Sequence, residues 1–151
     1  MKFLSGIGVR IAIIAVIVVV AFVLRDRLSG SASDLRVGDC FQDPGAIQEI
    51  SDVQHTPCTD PHDNEVVFAA EHPAAKGAAA LSDDQWGAWA AQNCLPAFLS
   101  YTGQDLLSQE VLDIGWFVPT DEAWADGSRK AICYAYRIDL AKLTQSVKKT
   151  N

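Results

Sequence analysis

The stretch "CTDPHDNEVVF", Cys58–Phe68, places a cysteine, a proline, a histidine and three acidic side chains within eight positions. Pro61 restricts the backbone, and acidic side chains in turns accept hydrogen bonds from nearby amides, so this composition favours a tight turn. The β-branched and aromatic residues that follow, up to residue 71, are typical of a strand. We therefore interpret the stretch as a turn, tied down by Cys58, that leads into a strand.

Other stretches also have strand character, namely residues 36–41, 53–56, 114–119 and 129–138. In the last of these, Ile132, Tyr134 and Tyr136 alternate with small residues, so both faces can be packed. This pattern predicts an interior strand of a sheet.

One helix is predicted from Ser82 to Tyr101. Ser82 and Gln85 have the spacing of a capping box, and apolar residues, Cys94 among them, recur on one face. Pro96 should kink the last turn, and Gly103 should end the helix. The predicted fold is α+β, with an antiparallel sheet packed against one main helix.

The N-terminal region predicts a membrane anchor. Residues 3–24 are apolar except for Arg10, and a helix of this length spans about 30 Å, the thickness of a bilayer core. A cleaved signal peptide is the alternative. We assign residues 1–27 to a cytoplasmic stub and transmembrane anchor, 28–34 to a linker, 35–143 to the outer domain and 144–151 to a flexible tail.

All four cysteines follow the predicted anchor, and their wide spacing lacks the paired knuckles of structural zinc sites. An even count in a small exported domain favours disulfides and an extracytoplasmic location, with the N-terminus in the cytoplasm. Since Cys94 lies on the apolar helix face and Cys133 on the small face of the last strand, we choose, of the three possible connectivities, Cys94 with Cys133 and Cys40 with Cys58.

Charge restricts the partners. The chain has a formal net charge of −7, and its acidic residues lie almost entirely beyond residue 33. An acidic outer domain repels the phosphates of nucleic acid, so we expect no nucleic-acid partner.

The motifs "VGDCF" at Val37–Phe41, "CTDPHDNEVV" at residues 58–67 and "WADGSRKAIC" at residues 124–133 resemble, in this order, those of the septum-formation domain of actinobacterial envelope proteins. The resemblance covers nearly all of residues 34–151. It marks Gly38, Asp39, Pro61, His62, Asp63, Glu65, Trp124, Gly127 and Arg129 as structural motif residues. It implies an anchored outer domain and association with division septa, and it implies no substrate.

Three roles are open for His62, Asp63 and Glu65. They could bind a metal, but alternation along a strand would turn His62 away from the carboxylates, and we predict neither a metal nor a cofactor. Asp63 and Glu65 could form an acid/base pair, yet no nucleophile motif accompanies them. We favour a structural role, in which His62 locks the turn through a ring hydrogen bond and Glu65 pairs with Arg129.

Trp124 is interpreted as a core residue next to a tight turn at Gly127. The alternative is an exposed aromatic patch of Trp116, Phe117 and Trp124, and we retain Trp116 and Phe117 as candidate partner-binding residues.

The sequence thus predicts a noncatalytic, single-pass membrane protein whose outer domain binds protein or cell-wall partners of the division machinery. The alternative is an extracytoplasmic sensor or ligand-binding domain without a role in division, and an envelope hydrolase comes third. No small-molecule ligand can be named.

Overall fold

The structure is a computed structural model that describes residues 29–45 and 52–150. This part of the chain forms one antiparallel sheet with strand order β1-β3-β2-β4-β6-β5. The strands are β1 (Ser29–Ser31), β2 (Cys40–Phe41), β3 (Asp52–Thr56), β4 (Asn64–Glu71), β5 (Leu112–Phe117) and β6 (Lys130–Arg137). The helices are α1 (Asp83–Thr102) and α2 (Asp121–Asp126), with short 3-10 turns at Ala32–Asp34 and Leu106–Ser108.

The main helix begins and ends where its sequence indicates. Ser82 accepts a hydrogen bond from the backbone of Gln85, whose side chain accepts one from Ser82 in return, so the predicted capping box is present. Gly103 ends α1 in the left-handed conformation, with φ of 75°, which glycine adopts without a steric penalty. Pro96 lies inside the helix, which continues to Thr102.

Strand β6 is an interior strand between β4 and β5, as predicted. On one face Cys133 and Ala135 pack under α1, and on the other Ile132 packs with Phe41 and Val66. Both faces of β6 are therefore covered, and the residues that alternate along the strand belong to two core clusters, one on each side of the sheet.

The two disulfides join Cys40 to Cys58 and Cys94 to Cys133, which confirms the predicted connectivity. The first bridge attaches the loop after β3 to β2. The second attaches α1 to β6, at the centre of the main core. The bridges therefore attach the loop after β3 and the main helix covalently to the sheet, and they indicate an extracytoplasmic domain.

The ends of the outer domain differ from the sequence prediction. The described part of the predicted linker forms β1, which pairs with β3, and Ala32 is buried. Residues 146–149, predicted to belong to a flexible tail, contact the core: the backbone amide of Lys149 donates to the carbonyl oxygen of Tyr101. Both segments are polar in sequence and mostly exposed, so they are attached to the domain by backbone hydrogen bonds that no local pattern predicts.

The predicted membrane anchor, within residues 1–27, lies outside the described residues. Across residues 29–45 and 52–150, no helix has both the length and the apolar character needed to span a bilayer.

Candidate functional site

The most unusual polar group of the domain is the carboxylate of Glu65, on β4. Its side chain is fully buried, and it accepts three hydrogen bonds: from Tyr101 Oη at 2.6 Å, from Ser146 Oγ at 2.6 Å and from the backbone amide of Val147 at 2.7 Å. A buried carboxylate is tolerated only when such donors replace its water. Glu65 thus ties strand β4 to helix α1 and to the C-terminal segment.

Tyr101 is held in its neutral form at this site. Burial raises the pKa of its phenol above the ordinary value, and the hydrogen bond to Glu65 and the charge of Glu65 raise it further. The phenol therefore remains a hydrogen-bond donor to the carboxylate over the physiological pH range.

His62 lies close by and is also fully buried. Its backbone forms a bridge with Leu143, and its Nδ1 lies 2.8 Å from the carbonyl oxygen of Asp60. A carbonyl oxygen can only accept, so Nδ1 carries a hydrogen and donates it. This is the ring hydrogen bond that the sequence analysis predicted for the turn.

The other ring nitrogen of His62, Nε2, is buried and has no hydrogen-bond partner among residues 29–45 and 52–150. His62 also belongs to a cluster in which one potential ligand atom from each of Cys40, Cys58, His62 and Glu65 lies within 4.8 Å of the others. The two sulfur atoms are bonded to each other in this structure, and a disulfide is a poor metal ligand compared with a thiolate.

Asp63 is not part of this cluster. Its carboxylate accepts from the backbone amide of Asp43 at 2.7 Å and pairs with Lys142 at 2.6 Å. Because Asp63 and Glu65 have separate sets of hydrogen-bond donors and no hydrogen bond to each other among those of the described residues, the geometry does not assemble the acid/base pair considered from the sequence.

The predicted ion pair between Glu65 and Arg129 is wrong. The guanidinium of Arg129 donates to the carbonyl oxygens of Ala74 at 3.1 Å, Ala75 at 3.0 Å and Trp124 at 2.7 Å. It also lies 3.8 Å above the Trp124 ring. Arg129 immediately precedes β6, at the opposite end of the β4–β6 ladder from Glu65, so strand geometry keeps the two apart and carbonyl groups take the place of the carboxylate.

Trp124 is a core residue, as predicted. It is 3 % exposed, packs edge-to-face on Trp86 at 5.7 Å and donates from its indole nitrogen to the carbonyl oxygen of Ala78 at 2.8 Å. Its burial excludes it from the alternative aromatic patch. Gly127, which follows, ends α2 in the left-handed conformation.

Trp116 and Phe117 do not form one surface either. They are neighbours on β5, so their side chains point to opposite faces of the sheet. Phe117 packs against Phe41 and Tyr134, whereas Trp116 is 41 % exposed. Only Trp116 remains available to a partner.

The other motif residues shape the turns around Glu65. Gly38 has a φ of 94°, which suits glycine, and its amide bonds to Val66 of β4. The Asp39 side chain accepts from the backbone amide of Arg36 at 2.8 Å, and the carbonyl of Pro61 accepts from Gln42. These contacts hold the backbone of the turns in place.

A surface cavity of about 310 Å³ lies beside Tyr101, between α1, β4 and the C-terminal segment. It is lined by Val67, Phe68, Ala97, Ser100, Tyr101, Lys148 and Lys149. The combination of apolar side chains with two lysines in this lining would suit a small anionic ligand with an apolar part.

Sequence reasoning missed Ser146 and Val147 as partners of Glu65. Tyr101 was placed on the buried face of the helix, but its role as a donor was not inferred. An apolar helix face that ends in a tyrosine is a usable signal, because a buried hydroxyl needs a partner. The polar C-terminal segment gives no comparable signal.

The chain was compared with known families and proteins. A family model described as "Septum formation" matches residues 37–150, which is most of the chain. Searches of curated proteins and of solved structures found no significant match. The matched range contains both disulfides and the whole Glu65 site, and the chain belongs to the septum formation family.

Proposed function

We propose that this chain is a noncatalytic, membrane-anchored envelope protein whose outer domain binds protein partners during septum formation. The observation that carries the septal part is the family match over residues 37–150. The anchor is proposed from the apolar sequence of residues 3–24.

A noncatalytic role is supported by the burial and the hydrogen bonds of Glu65. A general base must reach a substrate proton, directly or through one water molecule. Glu65 is fully buried and accepts hydrogen bonds at both oxygens, so it is arranged to hold the fold together.

The proposed partner surface is the outer edge of β5. Trp116 is 41 % exposed there, and Val111, just before the strand, is 51 % exposed. Tryptophan buries a large area on binding and is enriched among residues that dominate binding energy. A protein partner would cover these apolar side chains.

The test is fluorescence microscopy of dividing cells with a fluorescent protein on the N-terminus. Three chains are compared with the full-length one: a chain lacking residues 34–151, Trp116→Ala, and Leu99→Ala as the matched control, since Leu99 is 50 % exposed on α1. We expect septal enrichment of the full-length chain and of the Leu99 variant. Loss is expected for the truncated chain and for Trp116→Ala. A uniform membrane signal from the full-length chain would contradict the proposed role in septum formation.

The cavity beside Tyr101 favours a second candidate, a sensor or ligand-binding domain without a role in division. Its lysines, Lys148 and Lys149, line a partly apolar cavity. The test is a thermal-shift screen of small amphipathic carboxylates and phosphates. Stabilisation that disappears when both lysines are replaced by alanine would support this candidate.

Envelope hydrolysis is the third candidate. It would be supported by turnover of an envelope substrate by the purified protein that is lost in Glu65→Gln.

A further inference from the structure

Four potential metal ligands converge at the start of β4. Cys40 and Glu65 are directly paired residues of β2 and β4, so their side chains lie on the same face of the sheet. Cys58 is brought to them by its disulfide with Cys40, and His62 by the turn before β4. The potential ligand atoms of the four residues lie within 4.8 Å of one another.

The orientation of His62 is the second observation. Its Nδ1 donates to the carbonyl oxygen of Asp60. The backbone N–H and carbonyl groups of His62 both form hydrogen bonds with the backbone of Leu143. Nε2 is therefore the nitrogen with a free lone pair, and it is fully buried without a hydrogen-bond partner in the described part of the chain. A buried polar atom without a partner is destabilising and calls for an explanation.

Histidines that bind metals have this arrangement. The ring nitrogen that does not bind the metal donates to a carbonyl or a carboxylate, which fixes the tautomer and the ring orientation. In His62, the bond from Nδ1 to Asp60 supplies this support and leaves Nε2 as the ligand atom.

We propose that reduction of the Cys40–Cys58 disulfide creates a closed binding site for one zinc-class divalent ion. Its ligands are the two thiolates, His62 Nε2 and the carboxylate of Glu65. Two sulfur ligands with one nitrogen and one oxygen suit a borderline-soft tetrahedral ion and disfavour calcium or magnesium. The ligand atoms of a tetrahedral zinc site lie about 3.3–3.8 Å apart, as its bond lengths require. The two freed sulfur atoms, about 2 Å apart in a disulfide, must therefore separate, and the widest distances of the cluster must shorten by about 1 Å from 4.8 Å, which side-chain rotation of the freed cysteines permits.

The electrons for this change come from a dithiol. Its thiolate attacks a sulfur of the bridge, the mixed disulfide is resolved by the second thiol, and Cys40 and Cys58 become thiols while the dithiol becomes a disulfide. Binding of the divalent ion then displaces the two thiol protons, so one ion is taken up and two protons are released.

The Cys40–Cys58 bridge is also the more accessible of the two. Cys58 is half-buried, whereas Cys94 and Cys133 are fully buried under α1. Since exchange requires access to a sulfur atom, a mild dithiol should open the first bridge while the second still holds the helix to the sheet.

The proposal gives the loop after β3 two alternative attachments to the sheet. Under oxidising conditions a disulfide joins the loop after β3 to β2, and under reducing conditions an ion would join the same loop to β2 and β4. No metal was predicted from the sequence because the cysteines were judged by their spacing and, separately, His62, Asp63 and Glu65 by their alternation along a strand. In the tertiary structure, the sulfur atoms of Cys40 and Cys58, and not the carboxylate of Asp63, lie next to His62 and Glu65. This inference does not depend on the proposed septal function.

The test uses the purified full-length chain in detergent. It is reduced anaerobically with a dithiol until alkylation and peptide mapping show that Cys40 and Cys58 alone are open. The reductant is then removed by gel filtration. Cobalt(II), a spectroscopic substitute for zinc, is titrated into the reduced and the disulfide-intact forms.

We expect one cobalt ion per reduced chain, with thiolate-to-cobalt charge-transfer bands and the visible bands of tetrahedral cobalt, and no such bands from the disulfide-intact form. His62→Gln should weaken binding by about 100-fold or more, because loss even of a supporting residue weakens metal sites by about 10- to 100-fold. The matched control is His72→Gln, whose histidine lies among the tryptophans at the other end of β4. It should bind within about twofold of the wild type.

Failure of the reduced wild type to bind would overturn the proposal, and so would equal binding by the two histidine variants. If His62→Gln does not fold, X-ray absorption on the zinc-loaded wild type decides. A first shell of two sulfur and two nitrogen or oxygen atoms supports the site. A shell without sulfur, or with four sulfur atoms, contradicts it.

Discussion

The phenol hydroxyl of Tyr101, near the end of α1, donates a 2.6 Å hydrogen bond to the carboxylate of Glu65 on β4. The two residues are 36 positions apart, and both are buried. This bond joins the helix to the sheet at the end of α1 away from its capping box, while the Cys94–Cys133 disulfide joins them further back along the helix.

Replacing Tyr101 with phenylalanine should therefore destabilise the domain. The change leaves the ring and removes one donor from a buried carboxylate, and a hydrogen bond to a charged group contributes about 1.5–3 kcal/mol. The free energy of unfolding in urea measures the effect. Tyr136→Phe is the control, because Tyr136 donates to the partly exposed Asp113 at 3.2 Å. If both variants lost the same free energy of unfolding, the hydrogen bond from Tyr101 to Glu65 would contribute no more to stability than the bond from Tyr136 to Asp113.

High pH should weaken the fold through its tyrosines. Burial, and secondarily the charge of Asp43, raises the pKa of Tyr134 from 10.0 to about 12. The unfolded chain therefore loses the Tyr134 proton at lower pH than the folded one. Stability is fully present below the unfolded pKa of 10.0 and falls as the pH rises towards about 12.

The expected loss from Tyr134 is about 1–2 kcal/mol, after allowance for its partial exposure. Urea unfolding at a series of alkaline pH values measures it, and Tyr134→Phe should flatten the decline over this range. A wild-type curve that is level from pH 10 to about 12 would contradict the expectation.

The C-terminal segment should be required for full stability. Ending the chain at residue 145 removes the hydroxyl of Ser146 and the amide of Val147, two of the three donors to Glu65. We expect a loss of about 3–5 kcal/mol, because a buried charge is left poorly solvated. Thermal unfolding compares this chain with one that ends at Lys149, which keeps both donors and should be unchanged. If both chains melt with the wild type, the segment does not solvate Glu65.

Arg129→Lys should be strongly destabilising although it preserves the charge. The guanidinium donates to four separate carbonyl groups, that of Ser128 included, and lies on the Trp124 ring, and an ammonium group cannot reproduce this planar geometry. We expect a loss of about 2–4 kcal/mol in the free energy of unfolding. Lys130→Arg, at the next position, tests whether a change between the two cations matters in itself.

A double-mutant cycle of Arg129→Lys and Glu65→Gln checks the separation of the two residues. Because they have no partner in common, the two losses should add, with a coupling within about 0.5 kcal/mol. A larger coupling energy would indicate that Glu65 and Arg129 interact, as the sequence suggested.

The sequence by itself determined the main helix, the longer strands with their faces, and the cysteine pairing, whereas β1 and α2 were not predicted. These features depend on local patterns: the capping box at Ser82, the left-handed glycine after α1, and the alternation of large and small residues along β6. Such patterns act over a few residues, where backbone geometry fixes which side chains share a face. The same alternation already implied that Trp116 and Phe117 face opposite ways.

Only the tertiary structure decided what surrounds the buried charges. Glu65 accepts from Tyr101, Ser146 and Val147, and Arg129 donates to carbonyl groups, because a buried charge takes whichever groups the packed chain brings within reach. Donors such as a phenol, a serine and a backbone amide are too common in sequence to mark their partner. The convergence of His62 and Glu65 on the first disulfide likewise depends on strand pairing across the chain, which no local pattern records.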